Sequence, residues 1–294
     1  MTDIQQIRAF NRTVTRRLGV LNERYLGRHR PLAESRLLYE IGAQGAPVRE
    51  VRARLGLDSG FVSRMLRNLE RKGHAATRRR SDDDGRVRFA RLTRSGLAEL
   101  RRLNALSDDL AQSMLSPLSG KESRRLVAAM SEVERLLRAS SVEIAPAAPA
   151  SPDAHRCLNH YFAELATRFP EGYDRGLDGA DDLSHFAPPR GSLLVARLFG
   201  EPVGCAALRT LEPGIGEIKR MWVAPAARGL GIGRRLLNEL ERVARRCRLR
   251  AVQLDTNGSL KEALRLYRSS GYREIGRFND NPYAQHWFEK ALRP

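Results

Sequence analysis

The segment Met221-Trp222-Val223-Ala224-Pro225-Ala226-Ala227-Arg228-Gly229-Leu230-Gly231-Ile232-Gly233-Arg234-Arg235-Leu236-Leu237 constrains the chain more than any other. It reads as a strand, a basic glycine-rich turn and an amphipathic helix in direct succession. Glycines at 229, 231 and 233 let the backbone approach a ligand closely, and N–H groups at a helix start form an anion site suited to a pyrophosphate. Two familiar phosphate loops share this strand–turn–helix setting, and neither fits. The spacing is GxGxG where a dinucleotide fingerprint needs GxGxxG, and no GKS or GKT ends the turn as in a P-loop.

The chain is 294 residues long, about twice the usual domain size, so two compact domains are expected. From Asp3 to about Arg138 apolar residues recur at three and four spacing, as in Ile4, Ile7, Phe10, Val14, Leu18 and Leu21, so this half is mostly α. A short strand, Val142 to Ala145, then meets the proline-rich stretch Pro146-Ala147-Ala148-Pro149-Ala150-Ser151-Pro152, which cannot continue a helix. The expected division is residues 1–139 and 140–294. The second part is α/β. A helix from Asp153 to Phe169 precedes strands at Ser192 to Leu198, Val203 to Arg209 and Glu217 to Val223. A helix from Gly231 to Arg246, a strand Ala251 to Asp255 and a helix Leu260 to Ser270 follow, with closing strands near Arg273 to Gly276 and His286 to Lys290.

The net charge of +18 favours association with polyanions. It is concentrated early, with 29 basic against 17 acidic residues in 1–145. The start has no basic run followed by an apolar stretch, and no 18 apolar residues are consecutive, so a cytoplasmic protein without a membrane span is expected. Cys157, Cys205 and Cys247 lack a CxxC or Cys/His ligand spacing, and His155, His160, His185 and His286 show none either, so neither a disulfide framework nor a metal is expected.

Within the basic half, Val48 to Leu55 reads as a short helix, Gly56-Leu57-Asp58 as a tight turn, and Asp58 or Ser59 as the cap of a second helix reaching about Lys72. Two short helices around a glycine turn make either a helix-turn-helix or an ordinary helical hairpin. The next residues favour the first. Gly73 stops the helix, and two strand-like runs, His74 to Arg80 and Arg86 to Thr93, flank the turn Ser81-Asp82-Asp83-Asp84-Gly85, so a β-hairpin with a basic tip follows the candidate recognition helix. Eleven basic residues lie from Arg64 to Arg94, Arg79 among them, and these can contact phosphates on either side of a groove.

Leu57-Asp58-Ser59-Gly60-Phe61-Val62-Ser63-Arg64, Leu69-Glu70-Arg71-Lys72-Gly73, Asp82-Asp83-Asp84-Gly85-Arg86 and Leu92-Thr93-Arg94-Ser95-Gly96 together resemble the MarR family of winged-helix repressors. The resemblance implies that Ser59, Ser63, Arg64 and Arg67 face a major groove and that Arg86 enters a minor groove. Asp84 would help to hold the wing, or would serve only as a turn residue. It also implies a homodimer on double-stranded DNA, built from the amphipathic helices 3–26, 97–115 and 119–138, which suits a two-fold operator.

In the second half Arg228-x-x-Gly231-x-Gly233 matches the [Gln/Arg]xxGx[Gly/Ala] loop of GNAT acetyltransferases. Glu262-Ala263-Leu264-Arg265-Leu266-Tyr267-Arg268-Ser269-Ser270-Gly271-Tyr272 resembles the helix of that family that carries LYxxxGF. The ending Phe278-Asn279-Asp280-Asn281-Pro282-Tyr283-Ala284-Gln285-His286-Trp287-Phe288-Glu289-Lys290 resembles acetyltransferase domains fused to MarR-type domains. The implied fold is a GNAT fold with a central mixed β-sheet.

The implied donor is acetyl-CoA, bound by Arg228, Gly229, Leu230, Gly231, Ile232, Gly233 and Arg234, with Asn257. Met221, Trp222 and Val223 lie along the pantetheine arm, and backbone N–H groups at 221 and 223 polarise the thioester. Acetyl transfer to an amine needs a base for the amine, donors for the oxyanion and an acid for the departing thiolate. The resemblance makes Glu217 the base, through water, and Tyr267 the acid. A surface strand glutamate and a packing aromatic are the plain alternatives. Tyr173, Asp174, Arg220, Asn281 and Tyr283, with Asn257, fall on loops or strand ends that can surround an acceptor.

Two functions follow. The chain is either a DNA-binding regulator that also acetylates a small amine, amino acid or lysine, or a regulator whose second half only senses acetyl-CoA or an amine. A basic half that has lost DNA recognition is disfavoured by the arginine-rich wing.

Overall fold

The computed structural model describes residues 1–19, 26, 31–82, 85–169, 172–174 and 183–292, with backbone only for 80–82, 85 and 86. The chain forms two compact units, Met1–Ser131 and Glu132–Pro294.

The first unit opens with α1 (Asp3–Arg17), fixed by a reciprocal cap between Thr2 and Gln5 and burying none of its residues. Residues 20–25 of the expected helix 3–26 lie outside the described residues. After α2 (Leu32–Ile41), the strand β1 (Ala46–Pro47) and α3 (Val48–Leu55), Gly56 takes the left-handed conformation at φ +63° and ends the helix. Asp58 then caps α4 (Ser59–Arg71) by accepting the Phe61 N–H at 2.8 Å. Leu37, Leu38 and Ile41 of α2, Val51 of α3 and Val62, Leu66 and Leu69 of α4 form the core. The hairpin β2 (Ala75–Asp82) and β3 (Gly85–Leu92) pairs antiparallel, with β1 on the outer side of β3.

Thr93 caps α5 (Arg94–Leu115) through the Gly96 N–H at 3.1 Å. A Cβ at Gly96 would meet the His74 carbonyl at 1.9 Å, so only glycine lets the helix start lie against the hairpin. The helix α6 (Gly120–Ser140) begins in the first unit and ends in the second.

The second unit is a seven-stranded mixed sheet in the order β4-β5-β6-β7-β8-β10-β9. Its strands are β4 (Val142–Pro146), β5 (Gly191–Leu198), β6 (Glu201–Glu212), β7 (Ile215–Val223), β8 (Ala251–Thr256), β9 (Arg273–Ile275) and β10 (His286–Ala291). Leu193 and Val195 pack with α7 (Pro152–Arg168), whereas Leu194 and Ala196 pack with α8 (Ile232–Arg246) and α9 (Lys261–Ser269). Helices on both faces explain why the strand sequence is a continuous apolar run. Among the described residues no helix is long and apolar enough to cross a membrane.

Every pairing in this sheet is antiparallel except β7 with β8, which are parallel over Ile215–Glu217 and Ala251–Gln253. Beyond those positions the two strands part. β7 also carries a bulge against β6, where Cys205 pairs with Trp222 and Ala207 with Lys219, leaving two residues opposite Ala206. Arg220 there adopts φ +56°, a costly conformation for a residue with a side chain, and the bulge re-aims this part of the strand.

Candidate functional site

The parting of β7 and β8 opens two adjoining spaces at the carboxyl ends of parallel strands, where open α/β sheets bind ligands. The larger is a cleft between β7, the turn 224–231, α7 and α9. Its floor is built by Met221, Trp222 and Val223, and its end by Arg228, Gly229, Gly231, Ile232, Gly233 and Arg234. Gly229 and Gly231 stand at φ +81° and +74°, and a Cβ at either would have nothing within 4 Å. The left-handed turn therefore faces open space, and the first N–H groups of α8, which have no intrahelical partner, are available to an anion together with the positive helix end. That arrangement fits a pyrophosphate.

The arginines of the turn are held by protein groups. Arg228 donates to the Glu164 carboxylate at 2.6 and 2.7 Å and to the Val223 carbonyl at 3.1 Å. Arg234 donates to the Ser269 carbonyl and hydroxyl at 3.2 and 2.8 Å. Glu164 also receives the Trp222 indole N–H at 2.9 Å. Burial acts to raise its pKa, but hydrogen bonds from Arg228, Trp222 and Arg168 prevail and hold the carboxyl below its ordinary value.

The smaller pocket adjoins the cleft and is lined by Tyr161, Phe169, Tyr173, Lys219, Arg220, Asp255, Asn257, Asn281 and Tyr283, among others. Its aromatic wall is tightly built, with Tyr173 and Tyr283 ring centroids 5.0 Å apart and Phe169 within 5.8 Å of both. Tyr267 of α9 lines both spaces, with its hydroxyl 3.7 Å from the Met221 sulfur. Burial pushes the Tyr267 phenol well up, so it keeps its proton at any physiological pH.

Beside this pocket lies a buried polar network. Glu217 is 0 % exposed and receives Arg209 at 2.5 Å, Lys219 at 3.2 Å and Asn279 at 3.1 Å. Lys219 also donates to Asp255 at 3.2 Å, and Asp255 receives Asn279 at 2.6 Å and Asn281 at 2.7 Å. The Trp287 indole N–H fixes Asn279 from behind at 3.0 Å. Every charge in the network is thus matched, as burial requires.

Sequence comparison agrees with this geometry. The Acetyltransferase (GNAT) family model matches residues 158–272, and the MarR family model matches residues 30–87. An "IAA acetyltransferase" of Azospirillum brasilense is 45% identical over 103 residues, 35% of this chain and 66% of that protein. An uncharacterized N-acetyltransferase of Schizosaccharomyces pombe is 35% identical over 105 residues, 35% of this chain and 64% of its own length. The chain therefore spans just under two thirds of those two relatives. The "N-alpha-acetyltransferase RimI" of Mycobacterium tuberculosis is 36% identical over 127 residues, 42% of this chain and 75% of that protein. The chain belongs to the GNAT acetyltransferase family. A MarR family domain precedes the GNAT domain in the same polypeptide.

In the GNAT unit the residues expected at the cofactor gather along one cleft with two exceptions. Leu230 is buried in the core, leaving its backbone alone to serve the turn, and Asn257 lines the smaller pocket, where it donates to the Tyr283 carbonyl at 2.8 Å. Of the expected acceptor residues, Tyr173, Arg220, Asn281 and Tyr283 line the smaller pocket, whereas Asp174 contributes its N–H to the Tyr283 hydroxyl at 2.7 Å. Glu217 lines neither space, and both its oxygens are occupied.

Asp255 and Lys219 escaped sequence reasoning. A polar residue closing the apolar run of β8, and a lysine two positions after Glu217 on the same strand face, were the available signals. Glu164, on a helix with no motif, offered none.

In the MarR domain Ser59, Arg64 and Arg67 of α4 and Arg79 of β2 are exposed, and Ser63 is half-buried. Arg64 and Arg67 point away from the buried stripe Val62, Met65, Leu66 and Leu69, so the basic face of α4 is open. Asp84 and the Arg86 side chain lie outside the described residues.

Proposed function

We propose that the GNAT unit moves an acetyl group from acetyl-CoA to an amine and that the MarR domain binds double-stranded DNA as a homodimer. The observation that carries the enzymatic reading is Tyr267, a buried, protonated phenol lining both the cleft and the smaller pocket. Acetyl-CoA would bring the thioester carbonyl and a thiolate leaving group. The turn 228–234 binds its pyrophosphate through backbone N–H groups, and the β7 edge at 221–223 takes the pantetheine arm. Tyr267 gives its hydroxyl proton to the departing sulfur.

The amine proton goes to Asp255. Asp255 lines the pocket, whereas Glu217 lies behind it, so Glu217 becomes a positioning residue acting through Lys219 in place of the base expected from sequence. The aromatic wall of Tyr173 and Tyr283 orients the acceptor. An acetyl-CoA turnover screen over small amines, amino acids and peptides tests the reading. Turnover of any class supports it, and none from a protein that still binds acetyl-CoA establishes a sensor.

DNA binding is supported by the open basic face of α4, and dimerisation by the exposed Ile4, Ile7 and Phe10 along α1. Such an apolar stripe on a helix that buries nothing calls for a partner helix.

A further inference from the structure

The last turns of α6 end against the phosphate turn of the GNAT unit. Arg138 donates to the Ala226 carbonyl at 3.3 Å, and Arg135, anchored on Glu132 at 2.6 and 2.8 Å, reaches the Gly229 carbonyl at 3.5 Å. In return Arg235, in the first turn of α8, donates to the carbonyls of Ala139 and Val142 at 2.8 and 2.7 Å, closing the end of α6. Ala139 packs on the core that holds Ala227 and Leu230. Three guanidiniums therefore tie residues 132–142 to residues 226–235.

These ties act where the turn is weakest. Gly229 and Gly231 have the largest backbone freedom of any residue type, so an unbraced turn samples many shapes and a bound anion must order it at an entropic cost. Because a trans peptide sets a carbonyl and the following N–H on opposite sides, holding the Gly229 carbonyl toward Arg135 aims the Leu230 N–H away from α6. Neither Arg135 nor Arg138 lines the cofactor cleft.

We infer that Arg135 and Arg138 are positioning residues for acetyl-CoA, which brace the phosphate turn from outside the cleft and link its occupancy to the C-terminal end of α6. The inference rests on the reading that this turn binds acetyl-CoA. Linkage is reciprocal, so whatever shifts the end of α6 alters cofactor affinity, and cofactor binding stiffens that end.

The test uses the full-length protein, with acetyl-CoA titrated by calorimetry into the parent, Arg138→Lys and the double variant Arg135→Ala, Arg138→Ala. The double variant is expected to raise Kd and KM for acetyl-CoA roughly 5- to 20-fold while leaving kcat within about twofold, with Arg138→Lys between it and the parent. Amide hydrogen exchange over residues 132–141 should slow when acetyl-CoA is added to the parent, and should not in the double variant. Parental affinity and parental exchange in the double variant overturn the inference. So does a double variant that melts several degrees lower while Arg138→Lys behaves identically to it, because the arginines would then be merely structural. A parent that fails to bind acetyl-CoA overturns the proposed function itself and this inference with it.

Discussion

At the scale of single residues, Tyr267 and Asp255 line one pocket from different elements, and their surroundings suit opposite tasks. Tyr267 is enclosed by apolar groups and keeps its proton, while Asp255 accepts hydrogen bonds from Lys219, Asn279 and Asn281. Replacing Tyr267 by Phe keeps the ring and removes the proton, so kcat should fall roughly 10²- to 10⁴-fold with acetyl-CoA affinity nearly unchanged. Parental turnover in steady-state kinetics would dismiss Tyr267 as the acid.

Asp255→Asn and Glu217→Gln separate base from scaffold. The first should lower kcat by a comparable factor and also cost some stability, because it breaks the buried pair of Asp255 with Lys219. The second should lower stability by about 3 kcal/mol, the low end for a broken buried pair because Arg209 is about a third exposed, as read from thermal melts. Equal rate loss in both would return Glu217 to the chemistry.

At the scale of elements, the cofactor role proposed for the turn 228–234 rests on backbone conformation. Gly231→Trp places a side chain at φ +74° on the side that faces open space, so acetyl-CoA affinity should drop at least tenfold while the α8 core, which Gly231 does not enter, survives. Calorimetry finding unchanged affinity would remove the turn from the cofactor site. A second clamp, Arg168 with Glu262, holds α7 against α9, and Arg168 also reaches the Ser259 carbonyl at 3.0 Å.

The hydrogen bond from Arg168 lowers the Glu262 pKa to about 2. A depressed folded-state pKa stabilises above the unfolded value near 4.5, and that stability is lost as pH falls toward 2. Glu262→Gln should therefore flatten the melting profile over that acid range, and an unchanged profile would show the clamp to be idle.

Such elements were legible because their signals are local. The helix 48–55, the cap at Asp58, the hairpin and the glycine turn each follow from neighbouring residues. That Asp255 lines the pocket was not legible, because its position depends on where β7 leaves β8, and the enclosure of Glu217 by Arg209 and Lys219 is likewise a tertiary fact that the strand pattern does not carry.

At the scale of the whole molecule, the charge of +18 predicts affinity for any polyanion, so binding to DNA alone proves little. What distinguishes a reader from a basic protein is how affinity responds to sequence and salt. Phosphate contacts release counterions and make binding fall linearly in log affinity against log salt, whatever the sequence, whereas base contacts add an increment that random DNA lacks. Arg64 belongs to the exposed face of α4 and lies over the Phe61 ring at 5.7 Å, which limits its freedom and prepares it to reach a groove edge. Arg64→Ala should thus weaken binding to the region upstream of the gene by roughly 1–3 kcal/mol and narrow its advantage over random duplex, with the salt slope reduced by no more than about one. Anisotropy titrations of parent and variant at several salt concentrations make the measurement. A parent that prefers no sequence would refute specific recognition, and a variant weakened equally on both duplexes would make Arg64 a phosphate contact only.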